Sequence, residues 1–171
     1  MKIFELLSEN KEDLKQELKK NLGSGHFGTA FLKNNKVYKI TDSLDEYLLA
    51  NDIKKSNKNF QSIVKIYGTK ELGNHKYLII REYLNPISDE LSEKIGEDLY
   101  EIIDYFFEKN LNIKKSQTNL TELFDNKFLT FLENLKKEIL FLRKKAVDFD
   151  IEGLPLNIGK DSKENYKLFD F

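Results

Sequence analysis

The chain contains no cysteine. Disulfides, thiolate zinc sites and cysteine nucleophiles are therefore excluded. Histidine is nearly as scarce: His26 and His75 are the only two, and they lie far apart. That leaves no material for a multi-histidine metal site or a histidine-based triad. Net charge is also lacking, because 28 Lys+Arg almost cancel 29 Asp+Glu, for a formal charge of -1. Nucleic-acid binding driven by bulk charge is not expected from that balance. No stretch approaches the roughly 18 uninterrupted apolar residues of a membrane-spanning helix. In MKIFELLSENKEDLKQELKK, charge interrupts the apolar residues too early for a signal-peptide core. The expectation is a soluble, cytoplasmic protein without membrane or nucleic-acid partners. Its chemistry must rest on carboxylates, lysines, hydroxyls, asparagines and backbone.

What is present is enough to fold. Apolar residues make up 40% of 171 and charged residues 33%, so the chain can bury a core as one domain or one compact two-lobed unit. A loosely helical segment runs to about Lys20, with Ser8 as a candidate cap. Thr29–Lys33 and Lys36–Ile40 read as extended runs, and Asn34-Asn35 between them tolerates the positive φ of a hairpin turn. Asp42 or Ser43 can cap a helix that contains Leu44, Tyr47, Leu48 and Ile53. Ile63–Tyr67 and Tyr77–Tyr83 are further strand candidates, joined by a turn at Gly73-Asn74. After Pro86 the period becomes helical, over about 91–109 and again over about 120–145. In the second stretch Leu123, Phe124, Phe128, Leu132, Leu135, Ile139 and Leu142 recur at helical spacing. The last 25 residues lose that period, carry Gly153, Pro155 and Gly159, and end in a strand candidate, Tyr166–Phe171.

The sharpest motif is Gly23-Ser24-Gly25-His26-Phe27-Gly28. Glycines let backbone N–H groups approach phosphate oxygens without obstruction. A lone G-x-G-x-x-G is weak evidence, and an ordinary glycine loop competes with it. Here the glycines lead into a hairpin, whereas a dinucleotide-binding turn follows a strand and opens a helix. Loop and hairpin together resemble the protein-kinase-like superfamily, whose glycine-rich loop joins the first two strands. Val37-Tyr38-Lys39-Ile40 is similar to the family's third strand, with Lys39 in the place of the phosphate-holding lysine. A glutamate on the following helix normally orients that lysine. Glu46 is the best match, with Asp45 and Asp52 as competitors. Tyr77–Leu84 looks like the fifth strand running into the hinge, which would turn the backbone of Glu82 and Leu84 toward adenine. Arg81 then stands where the family usually has an apolar gatekeeper.

The tail carries the rest of the resemblance. Asp148 to Gly159 looks like the catalytic loop, and Tyr166–Phe171 like the strand that ends in D-F-G. By that resemblance Asn157 and Asp170 would bind Mg²⁺, which prefers oxygen ligands. Asp150 would orient the acceptor hydroxyl. It precedes Asn157 by seven residues instead of the family's five, and Asp148 and Glu152 are alternatives. The sequence given stops at Phe171, within the D-F of D-F-G.

The resemblance implies an α+β, protein-kinase-like two-lobed fold. Residues 1–171 would form a single unit with an N-terminal helix over 1–20. An antiparallel β-sheet N-lobe with its C-helix would cover 21–85, and a reduced, mostly helical C-lobe 86–171. It implies an ATP- and Mg²⁺-dependent phosphotransferase acting on a protein or small-molecule acceptor, or on itself. The alternative is a pseudokinase-like module that binds nucleotide or docks on a partner without transfer. A protein partner or a homodimer is compatible with either.

Overall fold

The computed structural model describes residues 20–25, 28–56, 58–98, 124–143 and 157–169. The expected N-terminal helix and His26, Phe27, Asp148, Asp150, Glu152 and Asp170 lie outside them. So do all of the loop before Asn157 and much of the expected 91–109 helix. The chain is a mixed α+β structure that clusters into two compact units. One is drawn from Met1–Asn57 and Ile66–Tyr83, the other from Lys58–Lys65 and Leu84–Phe171. Among the described residues no helix is long and apolar enough to cross a membrane.

The first unit is built on an antiparallel sheet of five strands. These are β1 (Lys20–Gly25), β2 (Gly28–Lys33), β3 (Lys36–Thr41), β4 (Ile66–Gly73) and β5 (Lys76–Glu82), in the order β1-β2-β3-β5-β4. Two turns set the register. Asn34 and Asn35 join β2 to β3 with φ of 51° and 58°, and Asn74 and His75 join β4 to β5 with 52° and 53°. Paired positive φ values twist a two-residue loop in the same sense as the strands it connects. The second turn sits one residue beyond the expected Gly73-Asn74, and Gly73 itself, at φ 78°, closes β4 before it.

Helix α1 (Leu44–Lys55) follows β3 directly. Ser43 is its cap and accepts a hydrogen bond from the Glu46 N–H at 3.2 Å. The buried stripe of α1 is Glu46, Leu49, Ala50 and Ile53, a run at spacings of three and four. Leu44 and Leu48, apolar in the sequence, face outward and are about half exposed. Residues that alternate along a strand share a face, and directly paired residues share it across strands. Lys39 pairs with Ile79, and Thr41 with Tyr77. The Tyr77 ring stacks on Tyr47 of α1 at 4.7 Å. Lys39 and Thr41 therefore lie on the face that α1 covers. The opposite face holds a separate apolar cluster of Phe31, Tyr38, Leu78 and Ile80.

The second unit holds α2 (Asp89–Glu97), α3 (Asn126–Arg143) and a small sheet. The sheet orders β6 (Asn85–Pro86), β7 (Ile158–Lys160) and β8 (Tyr166–Leu168) side by side. Ser88 caps α2 by accepting from the Leu91 N–H, and Asp125 starts α3 by accepting from the Phe128 N–H. Phe128, Leu132, Leu135, Ile139 and Leu142 are all buried, along the stripe the helical period predicts. Phe124, Phe128, Phe131 and Tyr166 form one aromatic cluster of tilted and edge-to-face rings between α3 and β8.

The expected strand Ile63–Tyr67 is divided. Ile66 opens β4, while Ile63 bridges Leu168 of β8 in parallel. Val64 N–H donates to the Leu168 carbonyl, and Leu168 N–H to the Ser62 carbonyl. Glu138 of α3 then takes the Gln61 N–H at 2.7 Å and the Ser62 N–H at 3.0 Å on its two carboxylate oxygens. Burial pushes the Glu138 carboxyl up from its ordinary value, against the opposing pull of those N–H groups. These bonds explain why 58–65 belongs to the second unit although it lies between two elements of the first.

Asp161 fixes the β7–β8 connection. Its carboxylate accepts from the Lys163 N–H, the Asn165 N–H and the Asn165 amide, and Lys167 Nζ stands 3.6 Å away. Burial pushes the carboxyl up, but the bonds from Asn165 and Lys163 and the Lys167 charge outweigh it and hold the value down. A carboxyl held lower in the folded state than in the unfolded chain stabilises above its ordinary 3.8. The contribution is lost as pH falls through the folded value. Asp161→Ala should therefore cost about 2 kcal/mol at pH 7 by leaving those N–H groups without an acceptor. The gap between variant and parent should narrow as pH falls through the lowered folded value. Urea unfolding across the acid range checks this, and a gap independent of pH would refute it.

Candidate functional site

Lys39 and Glu46 are brought together. Lys39 Nζ lies 2.6 Å from Glu46 Oε1, with side-chain exposures of 14% and 9%. Their meeting follows from the local fold. Lys39 is the fourth residue of β3 and points to the α1 face. The chain then turns through Asp42 and Ser43, and Glu46 is the third residue of α1. It also occupies the first position of the buried stripe, where an apolar residue would be usual. Of the three acids weighed for this role, Glu46 is the one on Lys39. Asp45 is exposed, and Asp52 lies two turns along the helix.

The glycine motif forms the hairpin between β1 and β2. Gly23 and Gly25 lie in β1, Gly28 opens β2, and Gly25 pairs with Gly28. Ser24 pairs with Thr29, and the register shifts between Asn21 and Gly23. Gly28 has a structural reason to be glycine. A Cβ there would fall on the Ile40 carbonyl oxygen and within 3.0 Å of Thr41 Cα. Its bareness serves the approach of β2 to β3, whatever else passes over the hairpin.

Arg81 is buried beside Val37 in the β3–β5 pairing, on the α1 face. Glu82 closes β5 in the first unit. Leu84 is buried in the second unit, where a Cβ on Gly159 would stand 2.7 Å from its own Cβ. Gly159, expected in a loop, lies in β7. Asn157 precedes β7, and its carbonyl accepts from the Phe169 N–H at 2.9 Å. Of the two expected metal ligands, Asn157 is thus placed by the β7–β8 hairpin and Asp170 lies outside the described residues. Among the described residues no group of three or more His, Cys, Asp or Glu is placed to hold a metal ion.

Three further polar residues escape a motif-based search. Thr41 is fully buried and bonds the Ser43 N–H. Glu138 and Asp161 clasp backbone in the second unit. For Thr41 the available signal is its position, two residues after Lys39 on the same strand face. For Glu138 it is an acid embedded in the apolar stripe of α3.

No protein-family model matches the chain, and no curated protein matches it.

Proposed function

We propose that this chain is a minimal, protein-kinase-like phosphotransferase that uses ATP and Mg²⁺. The observation that carries this is the buried Lys39–Glu46 pair at 2.6 Å. It lies on the helix-covered face of a sheet whose first hairpin is the glycine motif. A lysine fixed by a carboxylate is a positioned point charge, suited to the α- and β-phosphates of a nucleotide. An ordinary surface ion pair gives no reason for burying both partners, since burial costs each charge its hydration.

In this proposal Gly23–Gly28, Lys39 and Glu46 act on the phosphates, and the backbone of Glu82 and Leu84 would face adenine. By the sequence resemblance, Asn157 and Asp170 would be the oxygen ligands of Mg²⁺. Asp150 would orient the acceptor hydroxyl. Mg²⁺ would supply charge neutralisation on the transferring phosphoryl group. The protein's part is to hold and orient the reactants. The acceptor is a hydroxyl on a protein or small molecule, or on this chain.

The test is a thermal-shift titration with ATP and Mg²⁺, followed by transfer of labelled phosphate. Saturation at a hundred times Kd should stabilise the folded state by about 2.7 kcal/mol. Label should then appear on the chain or an added acceptor. Binding without transfer would favour the nucleotide-binding or docking module, a reading to which the seven-residue Asp150–Asn157 spacing already lends weight. No binding at millimolar ATP would end the phosphotransferase reading and leave only the partner-docking module.

A further inference from the structure

Ser43-Leu44-Asp45-Glu46 has the form of a capping box. In that motif the N-cap serine accepts from the N–H of the third helical residue. The glutamate at that residue in turn reaches back to accept from the serine N–H. Here only the first half is present. Ser43 Oγ accepts from the Glu46 N–H at 3.2 Å, while the Glu46 carboxylate is on Lys39. The Ser43 N–H donates instead to Thr41 Oγ1, at 3.1 Å. Thr41 is 0% exposed and shares the α1 face of β3 with Lys39.

Two acceptors compete for one donor. The Glu46 carboxylate has the sequence position to take the Ser43 N–H, and a partly buried N–H must find an acceptor. We propose that Thr41 is a positioning residue for the Lys39–Glu46 pair. Its hydroxyl takes the Ser43 N–H, which relieves Glu46 of the capping role and keeps its carboxylate on Lys39. The functional meaning of this device rests on the phosphotransferase proposal, but the device itself does not. Valine at position 41 preserves the branched shape and removes the acceptor. The Glu46 carboxylate is then drawn toward Ser43, and Lys39 is released from Glu46.

Lys39 can be read directly, without nucleotide. Its amine must leave the carboxylate before it reacts with an acylating reagent such as an N-hydroxysuccinimide ester. The full chain is labelled at fixed pH, and the rate at Lys39 is followed by peptide mass spectrometry, normalised to the exposed Lys54 and Lys55. Glu46→Gln defines the rate of the released lysine. Thr41→Val should raise Lys39 labelling at least threefold toward that limit. Thr41→Ser, which keeps the hydroxyl, should stay within twofold of the parent. General loosening would raise labelling at Lys167 in the second unit together with Lys39, and would count against the proposal. Should Thr41→Val not fold, Thr41→Ala carries the same comparison.

Parental labelling in the folded Thr41→Val chain, with fast labelling in Glu46→Gln, overturns the proposal and leaves the phosphotransferase reading standing. Parental labelling in Glu46→Gln removes the premise that the pair holds Lys39. The expected labelling pattern in a chain that does not bind ATP keeps the role of Thr41 and removes the phosphotransferase reading.

Discussion

Gly28→Ala is expected to destabilise the first unit by about 3 kcal/mol or more, at the upper end of what overpacking costs. The added methyl would meet the Ile40 carbonyl oxygen, and Ile40 C and Thr41 Cα at 3.0 Å. All three are backbone atoms inside the β2–β3 ladder, so no side chain can rotate away. Relief requires opening the ladder at Gly28 and Thr41, which pair directly. Gly68→Ala is the control. Its Cβ would meet Ile80 Cδ1 at 3.4 Å, a flexible side-chain end, and it should cost less than about 1 kcal/mol. Urea unfolding of the two variants decides, and equal stabilities would contradict the steric account. Loss of ATP binding in Gly28→Ala would consequently say little about a phosphate cradle, because the strand pairing fails first.

The second large effect is at Lys39 and Glu46. Removing one partner of a buried pair takes away the opposite charge that offsets the other's lost hydration, at a cost of about 3–5 kcal/mol. Lys39→Met and Glu46→Leu should each show it. The double variant should recover most of the loss, because an apolar pair of similar volume needs no hydration. A double-mutant cycle measures the coupling. Simple additivity would mean that the two side chains act independently in solution, contrary to their 2.6 Å separation. The double variant has a second use. A folded chain without the lysine should give no thermal shift with ATP and Mg²⁺, so loss of binding can be separated from loss of fold.

Much of the first unit was legible where local chemistry and tertiary packing agree. The Asn34-Asn35 turn, the Ser43 cap and strands β3 and β5 follow from residues whose own preferences match their places. The α3 stripe from Phe128 to Leu142 was legible for the same reason. β1 was not, because Gly23 and Gly25 remove the alternation that marks a strand and the register shifts beside them. The split of Ile63 from Ile66 was also hidden. An apolar run does not say which sheet it will join, and Ile63 and Val64 pair with β8, about a hundred residues later in the chain. In the candidate site, residue type and order pointed to Lys39 and Glu46. The role of Thr41 was not visible, because it depends on which of two acceptors takes one N–H, and a sequence pattern favours the other.

The clasp of Glu138 on Gln61 and Ser62 has a consequence for how the chain can be divided. The polypeptide passes from the first unit to the second at 57/58, returns at 65/66 and leaves again at 83/84. No single peptide-bond cleavage yields two self-sufficient fragments. A fragment ending at Tyr83 would carry Ile63 and Val64, both fully buried in the intact protein, without the strand that pairs them or the carboxylate that holds Gln61 and Ser62. The remainder would keep Glu138 without the N–H groups it binds. The two units are distinct in packing but inseparable in sequence, so domain dissection must proceed by substitution within the whole chain.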